Sequence, residues 1–188
     1  MLQIMIQGRG GQGAQLAGNL LASAFFAEGK YVQAFSTYGG ARRGTPVNSF
    51  IRIDHEKIRL RCDIVKADAI LCFDSSLLNE ALLSRATEET TIVVNSIKKT
   101  EEFKNLAPYK ISFIDAKAIS QRNGLGGIVN TALLGVFCSL IKAPNKESML
   151  NILKENLPRK IAENCAAYIE GYETAHSIYS TSELEEAQ

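Results

Sequence analysis

The chain is poor in the side chains that carry out reactions. It has 188 residues, and only two are histidines, His55 and His176. That argues against a histidine-based metal site. Its four cysteines are Cys62, Cys72, Cys138 and Cys165, and no two have the CxxC spacing. Zinc and iron–sulfur patterns cluster ligands two to four apart, so scattered thiols argue against both. Cys72 lies in the apolar run AILCF and Cys138 in LLGVFCSLI, and the four thiols read as small buried hydrophobes. Such thiol usage points to a reducing compartment, the cytoplasm. No apolar run reaches the length of a membrane span. The opening MLQIMIQGRGG has no basic segment, and its apolar run is too short for a secretion signal. Net charge is +1, so no bulk field draws the chain to nucleic acid or membrane.

Catalytic signatures are missing as well. There is no G-x-S-x-G, no H-E-x-x-H and no P-loop lysine motif. His55 falls in a predicted turn and His176 on the last predicted helix, and both read as solvent-facing. No nucleophile–base pair emerges, so no catalytic residue is expected on this chain.

What is present suits one globular domain. Apolar residues make up 46% and charged residues 22%. Scaling predicts about 9,000 Å² of folded surface against about 30,000 Å² unfolded, enough burial for a core without staples. Short apolar runs at 2–6, 31–35, 47–53, 57–61, 69–73, 90–94 and 110–114 predict strands. Helices are predicted near 12–28, 75–85, 126–142, 146–156 and 159–178. In the first helix Leu16, Leu20, Ala24 and Ala27 are expected on the buried face. Asp54-His55-Glu56 reads as the turn of a hairpin spanning about 47–61. The expected fold is α/β, a three-layer Rossmann-like domain with a mostly parallel, mixed sheet and that hairpin. One domain is expected over 1–180, with a polar, frayed tail at 181–188.

Two segments stand out. Gly8-Arg9-Gly10-Gly11-Gln12-Gly13 matches G-x-G-x-x-G, follows a predicted strand and opens a predicted helix. Glycines permit a tight turn and close approach, and the helix N-terminus suits phosphate. Arg9 adds a cation there. A dinucleotide site also needs an acid at the end of the second strand, and Ser36-Thr37-Tyr38 supplies none. A phosphate-bearing ligand, a turn packed on a partner and a purely structural turn all remain open. The second segment is Tyr38-Gly39-Gly40-Ala41-Arg42-Arg43-Gly44-Thr45-Pro46. Paired guanidiniums suit phosphate or carboxylate. A solvated or interface loop is the other reading. Arg52, Lys57, Arg59 and Arg61 make the following region basic, diluted by Asp54, Glu56 and Asp63. No aromatics interleave, which argues against nucleic acid. Asp74 and Asp115 follow predicted strands, at the edge where such sheets bind ligands, or they cap helices.

The segments GRGGQGAQLAGNLLA, STYGGARRGTPVNSFIRI and NTALLG together resemble the gamma subunits of 2-oxoacid:ferredoxin oxidoreductases. The resemblance runs from Ile6 to about Tyr172. It implies a non-catalytic subunit of an enzyme that oxidatively decarboxylates a 2-oxoacid to an acyl-CoA. Electrons then pass to ferredoxin or flavodoxin. It implies alpha, beta and delta-type partner subunits that hold thiamine diphosphate, magnesium and [4Fe–4S] clusters. For this chain it implies assembly and a coenzyme A contact. Gly8, Gly10, Gly11, Gln12 and Gly13 match the family's glycine turn. Tyr38, Arg42, Arg43 and Gly44 match its arginine loop, and Asn130 and Gly135 its later helix motif. Gly39-Gly40-Ala41 stands where pyruvate members often carry Gly-Pro-Glu. Arg42-Arg43-Gly44-Thr45-Pro46 nonetheless follows the pyruvate pattern, which favours pyruvate over 2-oxoglutarate, branched-chain 2-oxoacids or indolepyruvate. The reading of another class is a free-standing nucleotide-binding Rossmann-like protein.

Overall fold

The computed structural model describes residues 1–40, 44–98, 106 and 108–185, the last ten as backbone alone. Arg42 and Arg43 lie outside the described residues. Six strands form one sheet: β1 (Leu2–Arg9), β2 (Tyr31–Tyr38), β3 (Pro46–Asp54), β4 (Ala69–Cys72), β5 (Thr91–Asn95) and β6 (Lys110–Ile114). Their order is β2-β3-β1-β4-β5-β6. β1, β4, β5 and β6 run parallel, while β3 is antiparallel to both β1 and β2. The sheet is mixed, as expected.

The helices are α1 (Ala14–Ala27), α2 (Glu80–Leu83), α3 (Ala116–Arg122), α4 (Asn130–Ile141), α5 (Lys146–Asn156) and α6 (Ile161–Glu185). Strand alternation sends Ile4, Ile6 and Ile51 into a core with α1 and α3 to α6. Met5, Phe50 and Ile70 face a thinner layer built from Ile64, Ala67, Leu77 and Leu82. All four residues of β4 are buried, as a strand covered on both faces requires. Cys72 and Cys138 are fully buried, and burial pushes both thiols up to about 12. They behave as hydrophobes. Cys62, by contrast, is exposed.

Helices α4 and α6 cross with their backbones nearly touching. A Cβ on Gly135 would strike the Tyr168 carbonyl, and one on Gly171 the Ala132 carbonyl. Gly135 is therefore a packing residue.

Several expectations need correction. Residues 57–61 form no strand, so there is no hairpin across 47–61. Strand β3 already has β1 and β2 on its two edges, leaving none for a returning strand. The hairpin partner of β3 is β2. The 57–61 segment runs outside the sheet, with Leu60 42% exposed. In α1 the buried stripe is Ala14, Ala17, Leu20, Leu21, Ala24 and Phe25. Leu16 and Ala27 lie off it and are exposed. The region 75–85 splits into a 3₁₀ turn, Ser75–Leu77, and α2, because Asn79 caps the second piece through Leu82 N. Helix α3 was not anticipated. The last helix runs to Glu185, past its predicted end at 178.

Candidate functional site

Strand β1 delivers Gly8 and Arg9 to the edge where the parallel strands end. A Cβ on Gly8 would sit 3.1 Å from Ala14 Cβ and 3.2 Å from Phe73 Cβ, so the strand-to-helix turn is tight. Gly11 and Gly13 hold φ of 96° and 87°, which favour glycine. A Cβ on Gly13 would also run into the Asn130 amide. Asn130 begins α4, is 8% exposed, and donates from Nδ2 to Gly13 O at 3.4 Å.

The turn is clamped to the β2–β3 loop by its backbone. Gly10 N donates to Thr45 O at 2.8 Å, and Gly44 N to Gly10 O at 3.2 Å. Gln12 Oε1 accepts from Arg9 N at 2.6 Å, closing the turn on itself. Gln12 Nε2 then reaches Asp74 Oδ2 at 3.2 Å.

Arg9 has three internal partners. Nε donates to Asp74 Oδ2 at 3.0 Å, Nη1 to Gly44 O at 3.1 Å, and Nη2 to Ser76 Oγ at 2.7 Å. Its charge is matched by Asp74, so it braces the turn. Asp74 is the cap that one of its sequence readings expected, and a brace besides. It caps the 3₁₀ turn through Ser76 N at 3.0 Å and also anchors Arg9 and Gln12. Burial opposes its charge. Donation from the Ser76 hydroxyl and amide, Gln12 and Arg9 outweighs burial and holds the carboxyl below its ordinary range. Asp115 is a helix cap, accepting from Ala118 N at 3.0 Å.

Two cavities flank the turn. One, of about 740 Å³, lies toward Tyr38, Thr45 and Val47. The other, of about 620 Å³, lies toward Phe73, Asn95, Lys117 and Asn130. They share Gly11, Gly13 and Leu16, so they form two lobes across one turn. Both α1 and α4 start here without a side-chain cap. Among the described residues no side chain accepts from their first amides. No His, Cys, Asp or Glu lines either lobe among the described residues.

Of the residues singled out by sequence, Gly8, Arg9, Gly10, Gly11, Gln12, Gly13, Tyr38 and Asn130 gather at this turn. Gly44 joins it through its backbone. Lys117 and Asn95 escaped notice. Asn95 ends a strand and Lys117 sits three residues beyond one. The strand-end rule that selected Asp74 and Asp115 reaches them too.

The model of the pyruvate ferredoxin/flavodoxin oxidoreductase family matches residues 3–174. The chain belongs to this family. It is 37% identical over 178 residues to the common subunit gamma of the pyruvate/ketoisovalerate oxidoreductases of Pyrococcus furiosus, covering 92% of this chain and 96% of that one. It is 37% identical over 166 residues to the pyruvate synthase subunit PorC of Methanothermobacter marburgensis, covering 88% and 92%. The crystal structure of the pyruvate oxidoreductase subunit PORC from Thermotoga maritima superposes with a TM-score of 0.80 at 32% identity, covering 92% and 95%.

Proposed function

We propose that the chain is the non-catalytic gamma subunit of a 2-oxoacid:ferredoxin or flavodoxin oxidoreductase, with pyruvate as the 2-oxoacid. Its share of the work is assembly and the holding of coenzyme A. The observation that carries this reading is the two-lobed cavity across the glycine turn, with two uncapped helix N-termini at its rim. Coenzyme A supplies the thiol that accepts the acyl group. Thiamine diphosphate, magnesium and [4Fe–4S] clusters are assigned to alpha, beta and delta-type partners in the cytoplasm. The name of the Pyrococcus relative, common to a pyruvate and a ketoisovalerate enzyme, supports leaving substrate choice to those partners.

The residues fit an elongated phosphate ester. The uncapped N-termini of α1 and α4 border the lobes, and free helix-end amides favour anions. Lys117 is exposed and lines the second lobe. Leu16, Tyr38 and Val47 give the first lobe an apolar wall. Gly10, Gly11 and Gly13 allow close approach. Gly8, Gln12, Asn130 and the Arg9–Asp74 pair hold the turn in shape. Arg42 and Arg43 are assigned to coenzyme A phosphates by the family resemblance.

Lys117→Glu in the assembled enzyme tests this. The KM for coenzyme A should rise about tenfold, about 1.4 kcal/mol, with the KM for pyruvate unchanged. If Lys117→Glu and Tyr38→Ala both leave the coenzyme A KM alone, the turn is an assembly surface only.

A further inference from the structure

Strand β2 is the outer strand of the sheet, and its far edge pairs with no strand among the described residues. Its eight residues, YVQAFSTY, contain no charge and no proline. The pairing with β3 is continuous from Tyr31↔Asp54 to Tyr38↔Val47, so no bulge interrupts it. Charge, proline and bulges are the usual ways to blunt an open edge. This edge uses none of them.

A buried charge lies beside it. Arg52 stands between Gln3 and Gln33 in the cross-strand register and is 1% exposed. Nε donates to Gln3 Oε1 at 3.2 Å, Nη1 to Gln33 Oε1 at 2.8 Å, and Nη2 to Cys62 O at 2.7 Å. The guanidinium carbon is 5.7 Å from the Phe35 ring centre. Every one of these partners is neutral. Among the described residues Arg52 forms no ion pair. Buried charges are normally paired, because desolvation is costly.

A cavity of about 350 Å³ opens next to Arg52, between Gln33, Ala34 and Phe35 of β2 and Arg61, Cys62 and Asp63. Two guanidiniums and one carboxylate line it. Lys57 and Arg59 precede Arg61 in the same segment and, like it, are exposed without an ion pair among the described residues, with Glu56 and Asp63 as the exposed acids beside them.

We propose that the β2 edge and this cavity are the docking site for an acidic, extended segment of a partner subunit. The segment adds to β2 as a further strand, and main-chain hydrogen bonds supply affinity. A carboxylate on it enters the cavity, pairs with Arg61 and neutralises the field of Arg52. A second copy of the chain fits worse. Two-fold pairing at β2 would set Lys57, Arg59 and Arg61 against the same cations. The proposal rests on the subunit reading but not on coenzyme A binding.

Hydrogen exchange on the full chain, alone and in the assembled complex, tests it. Amides of β2 should exchange at least tenfold more slowly in the complex. A zero-length carbodiimide cross-link should join Lys57 to an Asp or Glu of a partner subunit. The double variant Arg59→Glu, Arg61→Glu should bind its partners at least tenfold more weakly, with its thermal midpoint unchanged. A complex in which β2 exchanges as in the free chain overturns the proposal. So does partner affinity that ignores the double charge reversal. Protection already present in the free chain, growing with its concentration, assigns the edge to a second copy. Failure of the wild-type chain to assemble with any partner removes the subunit reading, and this proposal with it.

Discussion

Arg9 and Arg52 belong to neighbouring strands of one sheet and are held in opposite ways. At the glycine turn, Arg9 meets a carboxylate at 3.0 Å on a half-open rim. In the middle of β3, Arg52 is buried among amide oxygens and a backbone carbonyl. Asp74 balances the charge of Arg9, so the anion contact proposed for the rim falls to backbone amides, to Lys117 and to Arg42 and Arg43. The β3 region keeps an unbalanced charge next to an open edge. Under the two proposals, a small ligand and a partner chain are read by different means in the two regions. One uses backbone geometry, the other a side-chain charge awaiting a counter-charge.

The largest break in this contrast comes from Arg52→Met. Three sheet residues hold the 57–66 segment: Arg52 through Cys62 O, Gln33 through Leu60 O at 2.8 Å, and Gln3 through Lys66 O at 3.4 Å. Removing the guanidinium leaves two glutamine oxygens and a carbonyl without their donor. We expect a loss of about 3 kcal/mol in urea unfolding. A loss below about 1 kcal/mol would mean that water replaces the guanidinium freely, and Arg52 would not be the anchor of that segment.

Gly13→Ala comes next and acts on the rim. Positive φ costs an alanine about 1 kcal/mol, and the collision with Asn130 adds to it, so about 2 kcal/mol is expected. The companion Gly13→Ala, Asn130→Ala should recover part of this loss. Full additivity of the two single changes would assign the cost to φ alone.

These two sites also show how far sequence could reach. The strands, α1, α4 and α5 were legible because apolar runs and their periods are local signals. Residues 146–156 match α5 from end to end. The 57–61 segment misled because its alternation is local, whereas the edges of β3 were filled by strands distant in sequence. Leu16 misled for a related reason: spacing gives a stripe but not its centre, and the sheet took Ala14 and Ala17. The glycine turn was legible as a motif. Its bracing was not, since Asp74 lies 65 residues from Arg9. Arg52 looked like one more surface cation, and only the register with Gln3 and Gln33 reveals its burial. Helix α3 escaped because its seven residues carry no clear apolar stripe, and the capping reading of Asp115 was its one local signal.

The smallest effect sharpens the comparison most, because it touches the balance of charge itself. Asp74→Asn keeps the shape of the side chain and removes the counter-charge of Arg9. Asp74 is partly exposed, so a loss of only about 1 kcal/mol at neutral pH is expected. Its pH dependence carries the information. The folded chain holds this carboxyl below its ordinary range, despite the opposing burial, through Ser76, Gln12 and Arg9. A depressed folded value stabilises fully above the unfolded value, about 4. That stabilisation disappears as pH falls through the folded value. The thermal midpoint of the wild type should therefore exceed that of Asp74→Asn at neutral pH, and the gap should close under acid. A gap that stays constant down to about pH 2.5 would show that the loss comes from hydrogen bonds the amide cannot remake and that the carboxylate's charge contributes nothing. Arg9 would then be as unbalanced as Arg52, and the two regions would no longer differ in the way they hold their charge.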